Sequence, residues 1–333
     1  MNIREIAQRT GISHTTVSRA LNDSPLVAEK TKERIKQIAK ELGYELDASA
    51  KSLATGIRMT IAILYPYSTL RRIGSQYTSE LIQSLRAALH IYRFDCIVNG
   101  YDSVGEDLSE MTRLIREKKV DGIIVLGYEL TKEALAALQK STDKIVLINP
   151  NPQLEGAHCA RLLINNEYGG SLAYEELRCL GNEGLFVLSH DRPQYSVRAQ
   201  GFLKAMGADD SHLWLVEDEA FETAYHFVMQ NQERFSGCKG LFVVTDIMAF
   251  GACKALLELG YRIPQDIAVV GYDDIEYSSY CTPSLTTIHQ PRSDVANKAA
   301  KLIVEAVKEK TSPDQTVMLS PNLIKRESTS AHS

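Results

Sequence analysis

The sequence lacks the long apolar segments and clustered cysteines that mark membrane and secreted proteins. No apolar run reaches the roughly 20 residues that a membrane span needs. Arg4, Glu5 and Arg9 interrupt the N-terminus where an export signal would have its apolar region. The six cysteines are scattered, form no CxxC pair and have no histidine at metal-ligand spacing. We therefore expect reduced thiols, no bound metal and a cytoplasmic location.

The sequence also lacks the short motifs of common enzymes. It contains no GxGxxG or GxxxxGK phosphate-binding loop, no GxSxG nucleophile elbow and no HExxH zinc motif. Residues 122–127 have the glycine spacing of a phosphate loop, but Tyr128 and Glu129 follow instead of a lysine. The adjacent carboxylates Asp273 and Asp274 would point apart in an extended chain. We predict no catalytic residue and no cofactor, with a Rossmann-like enzyme as the rival class.

The composition is that of a globular protein with an uneven distribution of charge. Hydrophobic residues make up 44% of the chain and charged residues 24%. At 333 residues the chain has room for two or three domains. Residues 1–58 contain ten Lys or Arg and seven Asp or Glu, a net +3, so the rest carries −8 of the overall −5. A basic N-terminal part favours a polyanionic partner such as DNA at that end.

The N-terminal segment has the pattern of two short helices joined by a tight turn. Ile3, Ile6 and Ala7 fall on one helical face. Gly11 supplies the left-handed position of the turn, and Ser13 is a natural N-cap for the second helix. The second helix would direct its polar side chains outward, which suits a DNA major groove, with a merely solvated helical hairpin as the alternative. Its buried residues would be Val17, Ala20 and Leu21.

A third helix and a linker follow these two helices. The third helix begins near Glu29, and Gly43 is placed to end it. Its apolar stripe consists of Ile35, Ile38, Ala39 and Leu42. Residues 45–58 can be helical only around 48–53, a length that is marginal alone in water. We expect a linker that becomes ordered when something holds it.

From Thr60 onward, short β-rich runs alternate with amphipathic helical stretches. The strands are nearly continuous in apolar residues, which is typical of parallel sheets covered on both faces. Because there are too many strands for one compact unit, we predict an α/β fold with two lobes, divided near residue 160. The run Leu162–Ile164 is assigned to the second lobe. Ligands of such folds bind at the carboxyl ends of the strands, so two lobes imply a cleft. The predicted helices include 76–91, 106–117, 168–180, 196–206 and 246–259.

In their order and spacing, these patterns resemble the LacI/GalR family of transcriptional regulators over essentially the whole chain. The N-terminal match comprises Ile6-Ala7, Gly11, Thr16 to Asn22, Thr31, Ile35 and Leu42-Gly43-Tyr44. The match in the body comprises Val120 to Ile124, Asn166, Tyr168 to Gly170, Arg198, Gly201-Phe202, Asp246, Val269 to Asp274, Pro283 to Ile288 and Leu323 to Ser328. The resemblance implies a dimeric, effector-gated repressor whose core is similar to periplasmic sugar-binding proteins.

The resemblance also implies which residues of the second helix contact DNA. His14 and Thr15 occupy the positions that vary with operator sequence. Arg19 occupies a position that usually reads a base, and arginine can contact guanine O6 and N7 together. Phosphate contacts or helix positioning are expected of Thr16, Ser18 and Asn22. Ser18 has an alternative role, a hydrogen bond back to its own helix.

The linker resembles the hinge helix of the family, which presses a leucine into the minor groove. Carried over to this chain, the leucine is Leu53, with Ala50 beside it. An apolar wedge of this kind unstacks a base step and bends the DNA; burial of Leu53 against the core is the alternative. The chain departs from the family at Leu46-Asp47, where Pro-Asn is common, and at Lys51. We expect Asp47 to cap the hinge helix.

Two residues of the core resemble the effector contacts of the family. Arg198 matches the main effector-binding arginine, and Asp273 matches an aspartate at the carboxyl end of a strand. A planar donor fork opposite a carboxylate suits adjacent sugar hydroxyls. Thr245 and Leu126 replace polar residues common in the family, which indicates an effector different from a simple galactoside. Weaker effector-binding candidates are Asn149, Gln290, Phe221, Thr245 and Tyr65.

The sequence thus predicts a modular regulator. The expected modules are a three-helix helix-turn-helix headpiece at 1–45, a hinge at 46–58 and a core at 59–333, with lobe 1 at about 59–160 plus 291–321 and lobe 2 at about 161–290 plus 322–330. We expect a repressor of a carbohydrate-utilisation operon with a sugar-like effector. The alternatives are a purine- or other metabolite-responsive regulator and a non-exported sugar-binding protein. The expected partners are pseudo-palindromic operator DNA and a second copy in a homodimer, with no membrane. The absence of leucine heptads argues against a tetramerising coiled coil and favours the dimer over a tetramer.

Overall fold

The computed structural model of the chain describes residues 3–21, 24–44, 56–67, 76–102, 109–154, 156 and 158–330. These residues form a small N-terminal helical unit and an α/β core with two sheets. The α/β fold class predicted from the sequence is confirmed. No helix in the described part of the chain is long and apolar enough to cross a membrane.

The N-terminal unit contains α1 (Ile3–Thr10), α2 (His14–Leu21) and α3 (Glu29–Glu41). Gly11 has the expected left-handed conformation, with φ +69°. The Ser13 hydroxyl accepts the N–H of Thr16 at 3.2 Å, so Ser13 caps α2 as predicted. The three helices share one apolar core, whose buried members are Ile6, Val17, Ala20, Leu21, Val27, Ile35 and Ala39.

The core alternates strands and helices along the chain. Its strands are β1 (Thr60–Pro66), β2 (Asp95–Tyr101), β3 (Gly122–Leu126), β4 (Ile145–Ile148), β5 (Ala160–Ile164), β6 (Leu185–His190), β7 (Leu213–Val216), β8 (Gly240–Val243), β9 (Ala268–Asp273), β10 (Thr286–His289), β11 (Thr316–Leu319) and β12 (Asn322–Ile324). Its helices are α4 (Gln76–Ile91), α5 (Ser109–Arg116), α6 (Lys132–Ser141), α7 (Asn166–Leu177), α8 (Pro193–Met206), α9 (Phe221–Gln230), α10 (Asp246–Glu258) and α11 (Arg292–Glu309).

The strands form two sheets, each the centre of one lobe. The first has the order β11-β5-β4-β3-β1-β2 and pairs in parallel throughout. The second has the order β12-β10-β9-β8-β6-β7 and is parallel except for the antiparallel pair of β10 and β12. Helical connections between successive strands are what parallel pairing requires.

The placement of Leu162–Ile164 in the second lobe was wrong. These residues belong to β5, which pairs with β4 and with β11 in the first sheet. The chain therefore first passes between the sheets after Ile164, about four residues later than the predicted division near residue 160. A short apolar run has the same pattern in either sheet, so the sequence alone does not reveal its pairing partner.

Each lobe has its own apolar core. In the first lobe, α4 and α11 contribute Leu81, Leu85 and Ala299 to the same buried cluster. In the second lobe, Phe202 stacks on Phe242 with ring centroids 5.4 Å apart. Trp214, the one tryptophan of the sequence, is buried in this second core. Its fluorescence therefore reports on the folding of the second lobe.

Two glycines allow α7 and α8 to pack with their backbones in contact. A Cβ atom on Gly170 would overlap the carbonyl oxygen of Arg198 on α8. A Cβ atom on Gly201 would likewise overlap the carbonyl of Glu167 on α7. Because backbone cannot move aside as a flexible side chain can, only glycine fits at these two positions.

We predict that Gly170→Ala destabilises the second lobe by about 1–3 kcal/mol, the usual cost of overpacking a tight contact. Urea unfolding followed by the fluorescence of Trp214 measures the effect. Gly237→Ala is the matched control, because its added Cβ meets no atom within 4 Å. Equal stability of the two variants would contradict the close packing of α7 and α8.

Candidate functional site

Arg198 and Asp273 meet at the carboxyl end of the second sheet. Asp273 is the last residue of β9, and Arg198 reaches it from α8. Arg198 Nη1 lies 3.1 Å from Asp273 Oδ1, and the two side chains are only 6% and 13% exposed. Arg198 also donates to the carbonyl of Val244 at 2.7 Å and to Asn166 Oδ1 at 3.0 Å. The guanidinium is thus fixed in direction by three partners, which belong to β9, to α7 and to the residue after β8.

Aromatic rings enclose the guanidinium of Arg198. Its Cζ lies 3.8 Å from the centroid of Tyr272 and 5.2 Å from that of Tyr195. Tyr272 donates from its hydroxyl to the same Asn166 oxygen, at 3.1 Å. Burial alone would lower the pKa of Arg198, but the charge of Asp273 opposes it and the net result is a raised pKa. Arg198 therefore stays charged, and its charge is balanced by Asp273.

Two buried polar atoms beside this ion pair have no hydrogen-bond partner among the described residues. Gln290 donates through Nε2 to Asp273 Oδ1 at 2.6 Å, while its carbonyl oxygen Oε1 is unsatisfied. The hydroxyl of Tyr77, on α4 of the first lobe, is also unsatisfied. Burial raises the pKa of Tyr77, so its hydroxyl stays protonated. Buried polar atoms are rarely left without partners, which makes these two atoms candidates for contact with a polar ligand.

The loop after β9 is held in a conformation that side chains disfavour. Asp273 has φ +124° and Asp274 has φ +51°. Each such residue costs roughly 1–3 kcal/mol, and clusters of them are found at ligand sites. Arg292 donates to both of their carbonyl oxygens, and the Asp274 carboxylate accepts from His289 at 2.8 Å and Arg326 at 2.6 Å.

The carboxylate of Asp246 holds the same loop through hydrogen bonds. Its carboxylate accepts from Thr287 Oγ1 at 2.5 Å, from Ser278 Oγ at 2.7 Å and from the N–H of Ile275 at 3.0 Å. Gly271 leaves room for this carboxylate, which a Cβ atom would overlap. Burial and the nearby charge of Asp273 raise the pKa of Asp246 to about 7. Asp246 therefore joins α10, β10 and the loop that presents Asp273.

Charged residues also join the two lobes. Arg192, just before α8, contacts Glu219 at 3.2 Å and Glu129 of the first lobe at 3.4 Å. Arg292 of α11 contacts Glu80 Oε2 of α4 through Nε at 3.2 Å, and its other two nitrogens reach the second lobe at the carbonyl oxygens of Asp273 and Asp274. The sequence reasoning did not propose these residues as site residues. Only the spacing of Glu80, one helical turn after Tyr77, gave a signal that it faces the cleft.

The weaker candidates separate into different environments. Gln290 joins Asp273 directly, and Thr245 is buried next to the Val244 carbonyl while its hydroxyl caps α10 at 3.3 Å. Asn149 has φ +45°, and its Oδ1 accepts the N–H of Ile164 at 3.0 Å. Phe221 stacks on Tyr225 with centroids 6.5 Å apart. Tyr65 packs against the first-lobe core. Within the described part of the chain, no hydrogen bond or ring contact joins Asn149, Phe221 or Tyr65 to Arg198, and all five candidates remain predictions as ligand contacts.

The DNA-contact candidates in α2 lie on its outer side. His14, Thr15 and Arg19 are exposed, while Thr16 and Ser18 are half-buried. Thr16 also exchanges a hydrogen bond with the Ser13 hydroxyl at 2.9 Å. Three further candidates lie outside the described residues: Asn22, Ala50 and Leu53. The departures at Leu46, Asp47 and Lys51 lie outside them as well.

Two family models match the chain. Residues 2–46 match bacterial regulatory proteins of the lacI family, and residues 175–329 match a periplasmic binding protein-like domain. The HTH-type transcriptional repressor PurR of Vibrio vulnificus (strain CMCP6) is 32% identical over 98% of this chain and 97% of its own length. The repressor of the same name from Vibrio atlanticus (strain LGP32) is 30% identical over 97% of both chains.

Solved structures share the fold over nearly the full length. The Lac repressor dimer bound to operator and the anti-inducer ONPF has a TM-score of 0.77 at 22% identity, covering 99% of both chains. The complex of the transcriptional regulator CelR with cellobiose has a TM-score of 0.71 at 22% identity, covering 98% of this chain and 99% of that one. The full-length similarity to the PurR repressors goes further than shared fold: the chain belongs to the LacI family of bacterial regulatory proteins.

Proposed function

We propose that this LacI-family DNA-binding repressor is gated by a small, uncharged polar effector bound between its lobes. The observation that carries the proposal is the buried cluster of Arg198, Asp273 and Gln290 with its two unsatisfied atoms, Gln290 Oε1 and Tyr77 Oη. Because Asp273 already balances Arg198, the cluster does not call for a charged ligand. It offers alternating donors and acceptors within a short distance.

A sugar or sugar derivative is the effector that this chemistry favours. Adjacent hydroxyls both donate and accept, which matches an arginine fork next to a carboxylate and an amide. Ring faces suit the apolar faces of sugars, and Tyr195 and Tyr272 supply rings around Arg198. The similar regulator CelR was solved with cellobiose, and a LacI-family regulator from Enterococcus faecium with ribose.

A purine-like metabolite is the second candidate. The name PurR of the full-length relatives agrees with it. The aromatic surroundings of the cluster also suit a flat heterocycle, because stacked rings attract each other beyond their buried area. The Gln290 NH2 group gives one of its two hydrogens to Asp273, so one donor hydrogen and the acceptor Oε1 remain, the pattern needed for the edge of a nucleobase.

The proposed mechanism is a shift between two lobe arrangements. An effector that binds one arrangement more tightly raises its population, and the effect on DNA affinity is equal to the effect of DNA on effector affinity. In a homodimer, the arrangement of the lobes would set the separation of the two linkers and headpieces, and hence the fit to two half-sites.

A thermal-shift screen of the full-length protein tests the effector site. Cellobiose, ribose, hypoxanthine and guanine are suitable probes, with ribose 5-phosphate as the charged comparison. Saturation at 100 times Kd stabilises a protein by about 2.7 kcal/mol. Stabilisation by the phosphate ester alone would contradict an uncharged effector.

We predict that Arg19→Ala weakens binding to the preferred operator by about 1–3 kcal/mol and relaxes the preference at one symmetric base pair. Selection of bound duplexes from a random-sequence pool, followed by titration, measures both effects. Arg34→Ala, an exposed arginine on α3, is the control for loss of positive charge. An equal loss on operator and random DNA would rule out base reading by Arg19.

We predict that Arg198→Ala abolishes stabilisation by the effector while leaving DNA affinity within about twofold, because α2 lies on a separate unit. Arg198→Lys, which keeps the charge but loses the planar fork, is expected to weaken effector binding and preserve the fold. Arg178→Ala, which removes an exposed pair with Glu175, is the control. Unchanged stabilisation in both Arg198 variants would show that the effector binds elsewhere.

We predict that deletion of residues 1–58 leaves a folded dimer that still binds effector and has lost DNA binding. Both core sheets and every buried member of their apolar clusters come from residues after this point, with only the half-buried Ile57 lost from the edge, and the headpiece has a separate core. Light scattering gives the mass, and the thermal-shift screen gives effector binding. A monomeric or aggregated product would refute the modular dimer.

A further inference from the structure

Glu80 lies where the two lobes touch. Its carboxylate accepts hydrogen bonds from one residue of each lobe. Glu80 is on α4, which belongs to the first lobe. Its Oε2 lies 3.2 Å from Arg292 Nε, and its Oε1 accepts the N–H of Glu276 of the second lobe at 3.3 Å. The Glu80 and Arg292 side chains are 23% and 13% exposed, so solvent screens this pair far less than a surface pair.

Arg292 connects Glu80 to the loop that presents Asp273. Its Nη1 donates to the carbonyl oxygen of Asp273 at 2.5 Å, and its Nη2 donates to that of Asp274 at 2.7 Å. Each of the three guanidinium nitrogens therefore has a separate partner. Because the guanidinium is a rigid plane, a turn of either carbonyl moves the nitrogen that faces Glu80.

Arg292 lies where the chain passes from the second lobe to the first, so its contacts connect the two lobes. It is the first residue of α11, directly after the chain leaves β10 of the second sheet. Helix α11 packs against α4 in the first-lobe core. Arg292 is thus anchored in the first lobe, yet it holds two carbonyls of the second lobe whose residues have φ +124° and +51°.

We propose that Glu80 and Arg292 form a latch that passes the state of the Asp273 carboxylate to α4. The proposal rests on the proposed function, in which Asp273 contacts the effector. When the partners of this carboxylate change, the strained peptide between Asp273 and Asp274 turns. Arg292 moves with the carbonyl oxygens of Asp273 and Asp274 to which it donates. Glu80, paired with Arg292, then shifts the first turns of α4.

Tyr77 offers a competing route to α4. It lies one turn before Glu80 on the same helix, and Arg292 Cζ is 5.8 Å from its ring centroid. Its buried hydroxyl has no hydrogen-bond partner among the described residues, so without a ligand it does not join Asp273 by a hydrogen bond. The two routes are separated by removing the fork of Arg292 while Tyr77 stays in place.

Hydrogen–deuterium exchange of the full-length, ligand-free protein tests the latch. Asp273→Asn imitates a change at the carboxylate without the need for an effector. We expect it to raise the exchange rates of amides in the first half of α4 at least about fivefold, the lower end of typical coupling between sites. When Asp273→Asn is added to a protein that already carries Arg292→Met or Glu80→Gln, we expect these rates to stay within twofold of those of the Arg292→Met or Glu80→Gln protein alone.

Glu305→Gln is the matched background, because it removes an exposed carboxylate of α11 that pairs with Lys301 at 3.8 Å and leaves the latch intact. The response to Asp273→Asn must persist there. The two latch backgrounds test the contact independently. Slow exchange of the amides of β1, β3 and β4 shows which of them keep the first lobe folded. The proposal is overturned if Asp273→Asn raises the exchange rates of α4 as much in a folded Arg292→Met or Glu80→Gln protein as in the otherwise unchanged protein. It is also overturned if Asp273→Asn alone does not raise them. DNA binding and effector stabilisation do not enter this measurement, so failure of the proposed function would be seen separately.

Discussion

The buried ion pair of Arg198 and Asp273 is the interaction on which the rest of the site depends. Removing two charges from water costs several kcal/mol per ion, and the mutual attraction repays this only when the remaining hydrogen-bonding capacity is also used. Asn166, the Val244 carbonyl and Gln290 use most of it. The arrangement therefore fixes α7, α8, β9 and the residue after β10 relative to one another, which gives the second lobe a rigid polar face.

The division of labour between the lobes follows from this rigidity. The second lobe carries the fixed charges, and the first lobe contributes groups on α4 that approach from the opposite side. Tyr77 and Glu80 occupy one face of that helix. Both lie near Arg292, which holds the loop after β9, and Glu80 also accepts the N–H of Glu276 of the second lobe. The rigid face of the second lobe lies opposite α4, which packs in the core of the first lobe. A small rotation between the lobes therefore changes several contacts at once.

Much of the fold could be predicted from the sequence because its signals are local. The amphipathic pattern of 76–91 predicted both ends of α4, and Gly11 and Ser13 predicted the turn and cap before α2. The sheet partner of β5 depends on strands far away in the chain, and the pattern of Leu162–Ile164 carries no information about it. The same holds for the site. The likeness to the family gave the positions of Arg198 and Asp273, whereas the contact of Glu80 with Arg292 joins residues more than two hundred positions apart. Asn149 follows a strand as predicted, but its backbone conformation directs its oxygen to the Ile164 amide.

The unsatisfied oxygen of Gln290 has a consequence for molecular discrimination. A site that has already lost the solvation of a polar atom rewards a ligand that restores the missing hydrogen bond and rejects an analogue that lacks the matching group. Rejection of this kind reaches factors of about ten thousand, far beyond what an added or missing methylene achieves in an apolar pocket. Under the proposed function, the regulator would therefore distinguish metabolites that differ by a single hydroxyl or amino group, even when their shapes are nearly identical.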